Sequence, residues 1–254
     1  MKKLFAVILI VALLFSLTSC FSSTPATQTE GTVNNTMNET EQPENAESKP
    51  QEETVSYEIT DNRVKTWTNS IGTTWIQEII EITNTGNTNL FLSSGKIEID
   101  DENGNLISVD DLVSVYPQII APGERAYYYN ETTLDASADI QLTLKPTIKA
   151  EKAKVPLIKY ETSDFAISDD EYLGIKALGR ITNTTDEDES LPSIAVFLYN
   201  SDNSLLGLIA STGSTIAAGE TTAEEITGFT LPDDITTSVV DHIEVIAYPY
   251  QFQF

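Results

Sequence analysis

The sequence has very few of the histidine and cysteine side chains that most often act as nucleophiles, general bases and transition-metal ligands. His242 is the only histidine and Cys20 the only cysteine, so the chain cannot supply two imidazole ligands or a thiolate cluster to a metal. A Ser-His-acid triad would depend on His242 alone. Its position out of phase with Ile243 and Val245 predicts a solvent-facing side chain on a strand. We therefore expect a protein that is not an enzyme and that uses no cofactor.

Carboxylates are abundant, but their spacing does not define a site. The chain has 39 acidic residues, which gives no basis for selecting the pair that glycoside hydrolysis needs. The segment 100–105 looks like a calcium-binding EF-hand loop. Setting Gly104 at the sixth loop position, however, puts Ile99 at the first, where a carboxylate is required, and Asp110 at the twelfth, where glutamate is required. A hairpin turn with Asn103 and Gly104 supplying positive φ is the simpler interpretation.

The overall charge excludes one class of partner. The chain has 14 Lys and Arg residues against 39 Asp and Glu residues, which gives a formal net charge of −25 at pH 7. Nucleic acids and anionic lipid surfaces are bound through clustered positive charge. We therefore predict that the protein does not bind nucleic acid.

Local charge clusters leave alternatives open. The acidic segments 169–171 and 186–189 are either solvated loops or weak sites for a divalent ion, and we predict no defined metal site. Lysines gather near the middle of the chain, where they form either a patch for an anionic wall polymer or acidic partner, or a solvated linker. These lysines are Lys145, Lys149, Lys152, Lys154 and Lys159.

The amino terminus has the pattern of an export signal. Lys2 and Lys3 precede an apolar run at 4–15, which is too short to span a bilayer. The residues that follow resemble the lipobox of bacterial lipoproteins: Leu17, Thr18, Ser19 and Cys20. The resemblance implies that residues 1–19 are removed and that lipid is attached to the Cys20 thiol. It also implies a protein anchored to the extracytoplasmic face of the cell membrane.

Residues 20–54 have the composition of a tether. They are rich in Ser, Thr, Asn, Gln, Glu and Pro, and Phe21 is their only aromatic residue. Such a segment cannot bury enough apolar surface to offset the entropy of ordering. We expect a disordered, lipidated and acidic tether with a span of roughly 30 to 35 Å, which keeps the folded part clear of the membrane.

From Val55 onward, short alternating runs of β-branched and aromatic residues predict an all-β protein with many antiparallel strands. A short helix at 109–116 is the one expected exception. We predict two tandem immunoglobulin-like sandwich domains, at 55–150 and 151–254, each about the size of such a domain. The expected strands are 56–67, 74–84, 96–101, 124–133, 139–148, 157–167, 172–183, 193–200, 205–211, 221–229 and 240–248.

The two halves are related by an internal repeat. Ile82-Thr83-Asn84-Thr85 recurs as Ile181-Thr182-Asn183-Thr184, and the segment 120–124 recurs as 216–220. In the second half, the sequence 196–200, Val-Phe-Leu-Tyr-Asn, resembles the motif of the FxLYD-like domains of bacterial envelope proteins. This resemblance implies an extracytoplasmic sandwich with no assigned catalytic residues.

The carboxyl-terminal segment alternates aromatic and polar residues, which would place four aromatic side chains on one strand face. One interpretation docks this face on the core of the second half. Another is an exposed strip or edge strand that binds sugar or another chain, with Pro249 marking the edge. A third is a resemblance to the last strand of outer-membrane barrels, which the other strands do not support. The four residues are Tyr248, Tyr250, Phe252 and Phe254.

These patterns together predict a non-enzymatic lipoprotein that binds or positions a protein or glycan of the cell envelope. The alternative is a small-ligand or carbohydrate-binding lipoprotein that uses the carboxyl-terminal aromatic strip or the acidic loops. Membrane lipid is the one predicted partner for which a specific residue, acylated Cys20, can be named.

Overall fold

The computed structural model describes residues 52–171, 174–189, 191–228 and 230–250. These residues form fifteen β-strands and no helix, and the strands pair in an antiparallel manner. The predicted all-β class is therefore confirmed. The expected signal peptide, lipobox and Cys20 lie outside the described residues, as does all of the predicted tether except 52–54, so lipidation stays a prediction.

The first half of the chain folds into a six-stranded sheet and a small three-stranded sheet. The large sheet has the strand order β1-β2-β7-β5-β4-β8, and the small one has the order β6-β3-β9. We call strands β1 to β9 the first repeat. Their bounds are β1 Tyr57–Thr68, β2 Thr74–Asn84, β3 Leu90–Leu92, β4 Gly95–Asp101, β5 Leu106–Tyr116, β6 Ile119–Ile120, β7 Arg125–Thr133, β8 Leu142–Thr147 and β9 Ala150–Lys152.

The second half forms two three-stranded sheets, ordered β10-β11-β14 and β13-β12-β15. We call these strands the second repeat. Their bounds are β10 Glu161–Asp170, β11 Gly174–Thr182, β12 Ser193–Tyr199, β13 Leu205–Thr212, β14 Thr221–Gly228 and β15 His242–Tyr248.

The strand pairing shows that the two repeats share one plan. Ile97 on β4 faces Asp110 on β5, and the equivalent Val196 on β12 faces Ile209 on β13. The triplets β1-β2-β7 and β5-β4-β8 correspond to β10-β11-β14 and β13-β12-β15. In the first repeat alone, pairing of β5 with β7 joins the two triplets into one sheet.

Each repeat has a buried asparagine at the same position, at the end of β2 in the first repeat and directly after β11 in the second, and both form the same hydrogen bonds. Asn84 and Asn183 are at most 1 % exposed, and each follows the apolar run of its strand. Each side-chain amide donates to two backbone carbonyls, which satisfies polar groups that burial would otherwise leave unpaired. The acceptors are Thr88 and Ile120 for Asn84, at 3.0 Å each, and Glu187 and Ile216 for Asn183, at 2.7 and 3.1 Å.

Each repeat has its own apolar core, built by the alternation of side chains along the strands. Ile76, Ile80 and Ile82 point from β2 into the first core. Val196 and Leu198 point from β12 into the second core. The side chains between them point to the opposite face of each sheet, where they are free to meet the other repeat.

A third apolar cluster, the repeat interface, joins the two halves. Ile79, Tyr127 and Tyr129 of the first repeat pack against β12 and β13 of the second repeat. The Tyr127 hydroxyl lies 3.2 Å from that of Tyr199, and the described residues group into one compact unit. The cluster consists of Ile79, Tyr127, Tyr129, Ala195, Phe197, Tyr199, Leu205 and Leu208.

Two sequence-based expectations are wrong. The segment 109–116 is not a helix but part of strand β5, because an extra residue at Leu112 interrupts the alternation and imitates helical spacing. Because side chains alternate along a strand, the sequence Tyr127-Tyr128-Tyr129 predicts one ring in the core and one exposed. All three are buried instead, Tyr128 in the first core and its two neighbours in the repeat interface.

Candidate functional site

The candidate site lies where strand β5 parts from strand β7. Residues Ser114–Tyr116 of β5 pair with Tyr127–Tyr129 of β7, whereas the earlier part of β5 pairs only with β4. The two strands therefore separate before Ser114. Strands β13 and β14 of the second repeat face this opening, so the site is built by both repeats.

Leu112 forms the bulge that accompanies this separation. Gly95 pairs with Val113 and Lys96 with Asp111, which leaves Leu112 as the extra residue of β5. Its φ of 63° is in the left-handed region, which costs a residue with a Cβ roughly 1 to 2 kcal/mol. The side chain is 80 % exposed, so core packing does not offset this cost. Backbone strain of this kind concentrates at functional sites.

The opening holds a cavity of about 470 Å³, which we call the acidic end of the inter-repeat groove. It lies within the size range of small-molecule sites, roughly 300 to 1,000 Å³. The polar residues that line it are Asp110, Asp111, Ser114, Asn130, Glu131 and Thr132 from the first repeat, with Thr227 and Thr230 from the second.

Glu131 ties the acidic end to the second repeat. Its carboxylate accepts hydrogen bonds from the Tyr129 hydroxyl and from Oγ1 of Thr230, the latter at 2.5 Å. Gln77 donates to the same carboxylate at 3.2 Å. Burial nevertheless raises the pKa of Glu131, because the loss of hydration disfavours the charged form.

Glu78 is the most unusual side chain of the molecule. It is fully buried, and its protonated carboxyl shares a hydrogen bond with the carboxylate of Asp110. It stands opposite Asn130 on β7, and Asn130 donates to Asp110 at 3.2 Å. Burial, followed by the nearby carboxylate of Asp110, raises the pKa of Glu78 to about 9. The Glu78 carboxyl is therefore protonated at neutral pH.

The groove continues into a second cavity of about 220 Å³, its aromatic end. The two cavities share Ser114, Tyr116 and Ala210 in their walls, so they lie next to each other, and we call the pair the inter-repeat groove. Three tyrosines, four serines and a threonine line the aromatic end, together with Gln118. They are Tyr116, Tyr248, Tyr250, Ser94, Ser114, Ser193, Ser211 and Thr212.

The structure separates the four predicted aromatic residues of the carboxyl terminus. Tyr248 is 6 % exposed and closes strand β15, whereas Tyr250 is 51 % exposed beyond the strand. Both line the aromatic end of the groove. Phe252 and Phe254 lie outside the described residues. Tyr248 is therefore a buried part of the cavity wall, and Tyr250 lies at the exposed edge of the cavity. The two residues do not form one exposed strand face.

The other sequence candidates lie elsewhere. The segment 100–105 forms a hairpin turn with Gly104 at a φ of 79°, and Asp101 accepts backbone hydrogen bonds from Asn103 and Asn105 at 2.9 and 2.8 Å. The described acidic residues of 169–171 and 186–189 belong to no group of three side chains able to hold a metal ion. His242 is exposed on β15, as expected, and stacks on Tyr199 with ring centroids 5.1 Å apart.

The central lysines do not form a patch of unpaired charge. Lys145 bonds to Asp100, Lys152 to Glu53, and Lys159 to Glu124 at 2.6 Å. Lys154 lies 3.7 Å from Glu151. These pairs agree with the solvated alternative for this cluster, in which its charge is offset by neighbouring acids.

Sequence reasoning missed Asp110 and Glu131, which line the groove, and Glu78, which is buried opposite Asn130. Glu78 occupies an inward position between Ile76 and Ile80 on β2, and a carboxyl in phase with core residues is a signal that alternation alone could have revealed. Asp110 and Glu131 gave no such signal, because only the packing of the two repeats brings them to one cavity.

Comparisons with known proteins identify no relative from which a site could be inferred, so the candidate site rests on the geometry of the groove. Within the described residues, no helix is long and apolar enough to cross a membrane. No protein-family model matches the chain, and no curated protein matches it.

Proposed function

We propose that this protein is a lipid-anchored, extracytoplasmic and non-enzymatic binding module that holds a carbohydrate of the cell envelope in the inter-repeat groove. The observation that carries the proposal is the aromatic end, where tyrosine rings and short hydroxyl side chains line one cavity. Between the two functions expected from the sequence, a general positioning module and a carbohydrate-binding lipoprotein, this lining favours binding of a glycan.

Sugars match the chemistry of this wall. A pyranose ring has a face of C–H groups that packs on an aromatic ring, and a rim of hydroxyl groups that donate and accept hydrogen bonds. Tyrosine offers an apolar body with a polar tip. Serine and threonine hydroxyls act as both donors and acceptors, so they can pair with sugar hydroxyls in either sense.

The length of the groove suits a short oligosaccharide. The two cavities lie side by side and share Ser114, Tyr116 and Ala210 in their walls. An oligosaccharide lying along β5 would therefore touch both cavities, whereas a single sugar would occupy one of them.

The repeat interface supports binding without a large rearrangement. Phe197 and Tyr127 pack with ring centroids 5.4 Å apart between the repeats. Gln77 of the first repeat also donates to the Leu206 carbonyl of the second at 3.2 Å. Walls fixed in this way reduce the entropy lost on binding.

Anchoring is the second part of the proposal. Lipid on Cys20 would hold the groove outside the membrane within reach of envelope glycans. The Cys20→Ser variant should leave the membrane fraction while keeping its fold. Fractionation of cells followed by thermal unfolding of the released protein measures both, and a variant that stays with the membrane contradicts the anchor.

Glycan binding is tested with the full-length chain in detergent. Oligosaccharides released from envelope polymers are titrated calorimetrically against the protein and against Tyr250→Ala. Tyr57→Ala is the matched control, since Tyr57 is an exposed tyrosine on β1 that does not line the groove. Binding that weakens in Tyr250→Ala and persists in Tyr57→Ala supports the proposal. Absence of binding by any oligosaccharide, or equal binding by both variants, contradicts it.

A further inference from the structure

The two tryptophans of the chain stand side by side near the tip of the β1-β2 hairpin. Trp67 of β1 pairs with Trp75 of β2, next to the turn that joins the strands. Their rings stack with centroids 6.1 Å apart and planes inclined by 20°, a spacing within the favourable range of roughly 4.5 to 7 Å. The two indoles, which we call the tryptophan pair, therefore form one apolar surface.

The tryptophan pair lies beyond the contact between the repeats. Alternation along β2 places Trp75 on the same face as Gln77 and Ile79, which contact the second repeat. Both indoles are only half-buried, and they belong to none of the three apolar clusters of the described residues. Packing of the described chain thus leaves part of each ring uncovered.

Each indole also has a hydrogen-bond donor that the fold does not use. Among the described residues, neither Nε1 atom has an acceptor, and neither is a buried unpaired atom. Tryptophans that are buried usually pair this N–H group. The pair therefore offers a ligand two accessible N–H donors beside an apolar ring surface.

The groups around the tryptophan pair are mainly hydroxyls. Thr133 of β7 stands directly opposite Trp75 and is exposed, as are Thr68 and Ser70 at the turn. Such hydroxyls both donate and accept hydrogen bonds. Lys65, the charged residue next to Trp67 on this face, is paired with Asp234 at 2.5 Å. These surroundings favour an uncharged ligand that is rich in hydroxyl groups.

The position of the pair argues against a lipid surface as its partner. Strand β1 begins at Tyr57, and ten residues of extended strand up to Trp67 correspond to roughly 33 Å. A chain anchored through Cys20 would enter the fold at the Tyr57 end, so the pair lies at the end of β1 remote from that entry. Acyl chains would also leave the indole N–H groups without acceptors.

We infer that the tryptophan pair is a second carbohydrate site, which binds an uncharged pyranose ring. The C–H face of the sugar packs on the indoles, its oxygens accept hydrogen bonds from the Nε1 atoms, and a hydroxyl group of the sugar pairs with Thr133. Trp67 and Trp75 line neither cavity of the inter-repeat groove. The second site therefore goes beyond the proposed function and does not depend on it.

The pair can report its own occupancy, because the chain has no other tryptophan. The hexamer of N-acetylglucosamine is titrated against the full-length chain in a detergent without a sugar headgroup, and tryptophan emission is recorded. We expect a saturable change in emission. Trp67→Phe keeps an aromatic ring but removes one N–H donor, and it should weaken binding about five- to tenfold, with Trp75 as the remaining reporter.

Two further variants separate the site from the fold and from the groove. Thr133→Ala alters an exposed residue and keeps both indoles, so it should weaken binding by about threefold even if Trp67→Phe disturbs the hairpin. Tyr250→Ala changes the aromatic end of the groove and should leave the emission titration unchanged.

Each outcome decides between the sites. Emission that does not respond to the hexamer refutes the second site, as does a response that disappears in Tyr250→Ala or persists at full affinity in both Trp67→Phe and Thr133→Ala. If calorimetry detects binding that depends on Tyr250 while the emission stays constant, the proposed function stands and the second site fails. An emission response without any binding that depends on Tyr250 gives the reverse result.

A lipid arm tests the rejected partner. The full-length chain is anchored in vesicles of phosphatidylcholine with brominated acyl chains, which quench tryptophans that enter the bilayer. We expect emission equal to that in vesicles without bromine. Strong quenching would place the tryptophan pair in the membrane and overturn the inference.

Discussion

The two repeats share strand order and register, yet they differ on the faces through which they meet. The outward residues Ala195, Phe197 and Tyr199 of β12 enter the repeat interface. Their equivalents on β4 are charged, and all three form ion pairs within the first repeat. These equivalents are Lys96, Glu98 and Asp100.

The same difference appears on the opposite side of the interface. Tyr127 and Tyr129 of β7 are buried between the repeats, whereas their equivalents on β14 are Ala223 and Glu225, and Glu225 pairs with Lys176. The first repeat thus contributes the apolar face of β2 and β7 to the interface, and the second contributes the apolar face of β12 and β13. The corresponding strands of the other repeat, β11 and β14 or β4 and β5, carry charged side chains on that face. The two charged faces are therefore not equivalent to the apolar faces that form the repeat interface.

The largest effect is expected at the centre of the interface. Phe197→Ala should lower the free energy of unfolding by about 3 to 5 kcal/mol, because a ring that is 1 % exposed leaves a cavity between the repeats. The equivalent Glu98→Ala should change it by about 0.5 kcal/mol or less, since it removes a partly exposed ion pair. Urea denaturation measures both. Similar losses in the two variants would show that the two faces are not specialised.

Glu78 provides the next comparison, because its equivalent in the second repeat is the buried Ala177. The folded protein holds the Glu78 proton up to a pKa of about 9, against 4.5 without the fold. The contribution of Glu78 to the free energy of unfolding should therefore be largest below pH 4.5. It should fall as the pH rises towards 9, by about 2 to 3 kcal/mol between pH 5 and pH 7.

The variant Glu78→Gln should remove this slope, because glutamine does not titrate. Urea denaturation at pH 5, 6 and 7 gives the slope for each protein. Asp202→Asn is the control and should keep the wild-type slope, since this exposed acid is solvated in both states. A wild-type protein whose stability is flat over this range would mean that Glu78 is ionised in the fold.

The buried asparagines test what the repeats have in common. Asn84→Ala and Asn183→Ala should each cost about 1 to 3 kcal/mol, because each change leaves two buried carbonyls without a donor. The two losses should agree closely, in contrast to the interface variants. Thermal unfolding measures them, and a large effect in only one repeat would contradict the shared network.

The smallest effect is expected at the bulge that occurs only in the first repeat. Leu112→Gly should stabilise the protein by about 0.5 to 1 kcal/mol, because glycine tolerates the positive φ. Leu112 has no equivalent in the second repeat, where Ser211 follows Ala210 directly and pairs regularly with Ile194, so Ser211→Gly should destabilise by a similar amount. Differential scanning calorimetry resolves the opposite signs, and destabilisation by Leu112→Gly would show that the bulge is not strained.

The strands could largely be predicted because alternation and turn residues are local signals. The predicted segment 74–84 coincides with β2, and the hairpin after Asp101 has its expected positive φ at Gly104, although not at Asn103. Strand β5 was misread at Leu112 because a bulge shifts the phase of alternation. Its cause is long-range, since it depends on pairing with β4.

The groove could be predicted only in part. Tyr248 and Tyr250 were singled out by their alternation, yet their surroundings depend on Tyr116 of the other repeat. Contacts between residues of different repeats depend on which sheet faces pack together. The outward Phe197 and Tyr199 carry that information in the sequence, but identifying their partner face requires the three-dimensional packing.

The groove belongs to neither repeat by itself, since β5 and β7 supply one side and β13, β14 and the end of β15 supply the other. One repeat by itself holds the buried asparagine and the hairpin but encloses no such groove. The groove therefore exists only because the two repeats carry different residues on their facing sheets, tyrosines on β7 and apolar side chains on β12 and β13.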